Sequence, residues 1–67
     1  MEMTGKVAAV TGAAMGMGRE IAVGLAREGC HLALCDIDVP GLRKTCELCE
    51  AEGVPVSIHQ IDMVGLW

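Results

Sequence analysis

The residues best suited to chemistry form a glycine-rich run, Thr11-Gly12-Ala13-Ala14-Met15-Gly16-Met17-Gly18. Where such a run joins a strand to a helix, free backbone N–H groups and the helix dipole face one point, and a phosphate is stabilised there. Gly12 permits the tight turn, Gly16 lets the backbone approach an anion with no Cβ in the way, and Gly18 lets the helix pack close to the strand. The common G-x-G-x-x-G pattern is absent, because the sixth position counted from Gly16 is Ile21. A Walker loop is also absent, since no Gly-Lys-Ser/Thr follows.

The next candidates are acids that each close an apolar run. Asp36 follows His31-Leu32-Ala33-Leu34-Cys35, and Asp62 follows Val54 to Ile61. A carboxylate at the end of a second strand can accept both hydrogen bonds from a ribose and repels a 2′-phosphate. Cys30, Cys35, Cys46 and Cys49 are spaced C-x4-C, ten residues, C-x2-C. A single C-x2-C is half of a zinc-ribbon pattern and here falls in a helical stretch, so the thiols read as small core-filling side chains and no metal site is assigned. His31 and His59 lack a partner constellation and read as structural imidazoles, and Arg19 reads as a solvated surface base. Thr11 reads as a buttress of the loop through its hydroxyl.

Placing these groups requires five elements. Lys6 to Thr11 is an apolar run without polar alternation, as in a buried parallel strand. From Met17 the period becomes helical, with Met17, Ile21 and Leu25 at four-residue spacing beside Gly18 and Ala22, and Gly29 as the stop. His31 to Cys35 is a second strand. Asp38 suits the cap and Pro40 the first turn of a second helix, whose inner face reads Leu42, Cys46, Cys49, with Gly53 at its stop. Val54 to Ile61 is a third strand, with Pro55 tolerated near its start. The fold class is α/β: a βαβαβ unit with a parallel three-stranded sheet in order 3-2-1, half of a doubly wound Rossmann fold.

The spacing T-G-x3-G-x-G after a strand reading K-V-A-x-V-T resembles the short-chain dehydrogenase/reductase family, and the resemblance runs over residues 5 to 63. It implies an NAD(P)-binding loop over Thr11, Gly12, Ala14, Met15, Gly16, Met17 and Gly18. It further implies that Asp36 and Ile37 border the adenosine, and that Asp62 and Met63 hold the adenine edge. NADP-preferring relatives often carry a base where this chain has Met15 or Ile37, so NAD is the expected cofactor. The implied reaction is hydride transfer between NAD(H) and an alcohol or ketone. In that family a Ser polarises the carbonyl and a Tyr-x3-Lys pair supplies the proton. The 67 residues contain no tyrosine, and Val64-Gly65-Leu66-Trp67 has no counterpart in the family pattern. The expectation is therefore a cofactor-binding portion without catalytic residues, apparently truncated; the alternatives are a binding-only or homologue-pairing module, and a thiol or zinc protein.

Composition narrows the partners. Apolar residues make up 52% and charged residues 21%, with a net charge of −4, which is a globular balance. The absence of a basic cluster and of stacking aromatics argues against nucleic acid. No run approaches the ~18 apolar residues of a membrane span, and Met1-Glu2-Met3-Thr4-Gly5-Lys6 lacks the basic-then-apolar order of a signal peptide. A cytoplasmic protein with reduced thiols is expected. A chain of about 60 residues hides only ~60% of its unfolded surface, so stability is marginal. An unpaired edge on the first strand would favour self-association.

Overall fold

The computed structural model describes residues 4–61. The elements run β1 (Val7–Thr11), α1 (Gly16–Arg27), β2 (His31–Asp36), α2 (Val39–Glu50) and β3 (Val56–Gln60). The sheet is parallel, in the order β1-β2-β3, with Val7 level with His31 and Leu32 level with Val56. The expected 3-2-1 arrangement is therefore the observed one, read from the other edge. The third strand is shorter than the apolar run that encodes it. It begins after Pro55, whose carbonyl still accepts from the Leu32 amide at 3.0 Å.

Both helices lie on one face of the sheet. A single core joins Ala8 and Val10 of β1, Leu32 and Leu34 of β2, and Val56 and Ile58 of β3 to Ala22, Ala26, Leu42 and Cys49 of the helices. The alternation of a strand then places Val7, Ala9, Thr11, His31, Ala33, Cys35, Ser57 and His59 on the opposite face.

Two helix faces differ from those expected. In α1 the fully buried residues are Ala22 and Ala26, with Val23 and the expected Leu25 packed partly buried against the core, while Met17 is 75% and Ile21 49% exposed. The cause is close packing. A Cβ at Gly18 would fall on the carbonyl of Gly12, 2.7 Å from its carbon, so the start of α1 lies too close to the loop for a side chain at that position. In α2 the inner face is Leu42, Thr45 and Cys49, and Cys46 is half-buried at its margin. Asp38 caps α2, its Oδ1 accepting from the Gly41 amide at 3.1 Å, and Pro40 lies in the first turn. That interaction satisfies one of the orphan donors of the helix start.

Candidate functional site

The glycine loop lies at the carboxyl ends of β1 and β2. Gly12 and Gly16 have φ of +67° and +59°, in the left-handed region that side chains disfavour. A Cβ at Gly16 would meet nothing within 4 Å, so the loop opens there onto free space. No side chain caps α1, and its first turn carries no acid. The first-turn amides of a helix have no intrahelical acceptor, so their partial positive charge faces that opening.

Asp36 forms the second wall. Its Oδ2 accepts from the Ala14 amide at 3.1 Å, and its Oδ1 accepts from the amides of Ile37 at 2.7 Å and Asp38 at 3.1 Å. The Asp38 hydrogen bond, with those of Ala14 and Ile37, holds the carboxyl below its usual range against the opposing effect of burial. The group is thus a carboxylate at neutral pH. Two backbone amides bond Oδ1 and one bonds Oδ2, so Oδ2 is the less occupied acceptor.

The third wall is α2, and its contribution was not read from the sequence. The Thr45 side chain is fully buried, with Oγ1 2.7 Å from the Ala13 carbonyl oxygen and 3.2 Å from that of Gly41. Arg19 donates from Nε to Thr45 Oγ1 at 2.9 Å, and from Nη2 to the carbonyls of Ala14 and Gly41. Arg19 is therefore a tie between α1, the loop and α2, not the solvated base its position suggested. Gly41 admits this approach, because a Cβ there would lie 2.7 Å from the Ala14 Cβ. The signal for Thr45 was its place seven residues after Asp38 and three after Leu42, on the helical face that hydropathy alone does not mark.

Of the residues assigned from sequence, the structure brings together Gly12, Ala14, Met15, Gly16, Met17, Gly18, Asp36 and Ile37 around this opening. Met15, Met17 and Ile37 are 63%, 75% and 59% exposed. Thr11 points to the sheet face away from the helices and is exposed; Asp36 and Thr45 buttress the loop instead. Asp62 and Met63 lie outside the described residues.

The cysteines are free. Cys30, Cys35 and Cys49 are buried, and Cys46 is half-buried. Burial, then the charge and hydrogen bond of Glu50 and the charge of Glu47, raises the Cys46 pKa; burial, then Cys46 and Glu52, raises that of Cys49. No group of three potential metal ligands occurs among the described residues. His59 is exposed, with Nε2 2.9 Å from Ser57 Oγ.

Residues 6–65 match the short chain dehydrogenase family. The chain belongs to this family. SadH of Mycobacterium tuberculosis is 44% identical over 59 residues, which are 88% of this chain and 21% of SadH. Carveol dehydrogenase from Mycobacterium avium in complex with NAD superposes with a TM-score of 0.88 at 31% identity, over 92% of this chain and 27% of that one. L-Sorbose reductase from Gluconobacter frateurii, complexed with NADPH and L-sorbose, gives 0.84 at 39% identity, over 94% and 25%. The chain thus spans about a fifth of the length of SadH. Among the described residues no helix is long and apolar enough to cross a membrane.

Proposed function

We propose that these residues form the adenosine- and phosphate-binding portion of an NAD-dependent short-chain dehydrogenase, a cytoplasmic enzyme that transfers hydride between NAD(H) and an alcohol or ketone. The observation carrying this reading is the pairing of an uncapped, acid-free helix start with the Asp36 carboxylate, both fixed to the same loop at Ala14. A dinucleotide would suit this opening: the free amides would take its phosphates, Gly16 leaves space in front of them, and Asp36 Oδ2 would accept from a ribose hydroxyl. When bound, NAD supplies the nicotinamide that carries the hydride. Gly12 and Gly16 shape the loop, Gly18 sets the distance of α1, and Met15, Met17 and Ile37 line the mouth. Asp62 and Met63 are assigned to the adenine edge through the family resemblance. With no tyrosine, these residues serve binding, not the family's proton transfer.

Asp36 favours NAD because its charge opposes a 2′-phosphate, and neither Met15 nor Ile37 offers a compensating base. Calorimetric titration with NAD and NADP tests this. Tighter binding of NAD, with the preference narrowed in Asp36→Asn, is the expected result. Equal affinity, tighter NADP, or no saturable binding at millimolar cofactor would refute it.

A second reading concerns pairing. The Lys6 carbonyl accepts from the His31 amide at 2.7 Å, and strand alternation turns the peptide groups of Val7, Ala9 and Thr11 to the side away from β2. Among the described residues no strand pairs there. We propose a second copy as the occupant, joined antiparallel about Ala9. That pairing sets Val7 against Thr11 with no charge opposed to charge, and makes about six hydrogen bonds. With strands ~4.8 Å apart, two α1 helices each seated between β1 and β2 would lie about 10 Å apart, a packing distance for helices. The exposed Ile21 would then meet its own copy. A concentration-dependent dimer mass by sedimentation, lost in Val7→Lys and Ile21→Glu, is the expected outcome; a monomer at millimolar concentration would rule it out.

A further inference from the structure

Thr45 is the one fully buried polar side chain among the described residues, and besides the Gly41 carbonyl of its own helix its partners are Ala13 of the glycine loop and Arg19, which reaches Ala14. Its hydroxyl has a single proton, which the Ala13 carbonyl receives at 2.7 Å, and a lone pair that accepts from Arg19 Nε at 2.9 Å. Arg19 Nη2 in turn donates to the Ala14 carbonyl. Two successive loop carbonyls are thereby drawn toward the interior, between α1 and α2.

A trans peptide directs its N–H opposite to its C=O. With the Ala13 carbonyl held by Thr45, the Ala14 amide must point the other way, and it meets Asp36 Oδ2 there at 3.1 Å. With the Ala14 carbonyl held by Arg19, the Met15 amide must likewise point away from the interior, toward the opening at Gly16. One peptide of the loop is fixed from both sides, and the next is aimed by its carbonyl alone.

We propose that Arg19 and Thr45 are positioning residues for dinucleotide phosphate: neither touches the ligand, and together they orient the Met15 amide toward it. The proposal rests on the dinucleotide reading above. It makes the first two turns of α2 part of the anion site, through a hydroxyl with no access to solvent.

The test uses ADP and adenosine as probes, because only ADP carries phosphates, together with the 15N-resolved amide resonance of Met15 in the free chain. In Thr45→Val the affinity for ADP should fall about tenfold while that for adenosine holds, and the Met15 resonance should move. Thr45→Ser, which keeps the hydroxyl, should restore both. Should Thr45→Val fail to fold, Arg19→Lys replaces it: a single ammonium cannot reproduce the planar fork that reaches Thr45 and Ala14 together, so the same pattern is expected. Equal losses for ADP and adenosine, unchanged ADP affinity in a folded variant, or an unmoved Met15 resonance would overturn the proposal. A wild-type chain that binds neither probe would overturn the dinucleotide reading and the ligand role with it. The Met15 resonance would then still report whether the pair orients the loop.

Discussion

The Ala14 amide and the Asp36 carboxylate lie 3.1 Å apart, and this one hydrogen bond joins the glycine loop to the end of β2. Asp36 also gathers the amides of Ile37 and Asp38, so a single side chain fixes the exits of two strands. Its role as a wall of the site and its role in holding the loop are therefore inseparable.

That coupling has a pH signature. The Asp36 pKa is lowered on folding, chiefly by the Asp38 amide. A depressed carboxylate contributes stability that is present above its unfolded pKa, about 3.9, and is lost as pH falls through the folded value. Chemical denaturation between pH 6 and 2.5 should show this loss only below about pH 4, and Asp36→Asn should flatten that part of the profile. An unchanged acid limb in Asp36→Asn would assign it to other carboxylates.

Gly18 and Gly24 both lie in α1, yet they should respond oppositely to alanine. A Cβ at Gly18 would overlap the Gly12 carbonyl, whereas one at Gly24 meets nothing within 4 Å. Gly24→Ala should stabilise the chain by about 0.5–1 kcal/mol through helix propensity. Gly18→Ala should destabilise it by ~1–3 kcal/mol or more, since backbone must move to admit the methyl. Urea unfolding of the two variants checks the contrast; similar effects would mean that α1 is not held at the distance described.

The thiols of α2 should be sluggish. Burial and neighbouring acids raise the pKa of Cys46 and Cys49, and alkylation proceeds through the thiolate. Iodoacetamide labelling at pH 8, followed by mass spectrometry, should modify both more slowly in the folded chain than in urea. Cys46, half-buried, should react ahead of Cys49. Rapid labelling of both in the folded state would contradict that environment.

The order of elements was legible because each apolar run ends at a residue with a physical reason to end it: Gly12 after β1, Gly29 after α1, Asp36 at the end of β2, Gly53 after α2. The loop was legible for the same reason, since glycine spacing encodes backbone shape directly. The inner faces of the helices were less so. Met17 and Ile21 have the bulk of core residues, but the close approach of Gly18 to Gly12 and Ala13 brings α1 down on Ala22 and Ala26, and of the expected stripe Leu25 alone packs against the core. Thr45 and Arg19 escaped because hydropathy ranks them as surface groups. Their burial depends on loop carbonyls that come within reach only once α2 has packed against residues 13 and 14.

The sheet face opposite the helices has a polarity of its own. Across β1 it presents Val7, Ala9 and Thr11, across β2 His31, Ala33 and Cys35, and across β3 Ser57 and His59. Apart from the Thr11 hydroxyl at the end of β1 and the His31 imidazole at the start of β2, wettability thus rises in one direction, from the methyl groups of Val7 and Ala9 to the hydroxyl and imidazole of Ser57 and His59. Water leaves the first strand at a gain and the third at a loss. A cover matched to this face would therefore be dry over Val7 and Ala9 and would stop short of Ser57 and His59.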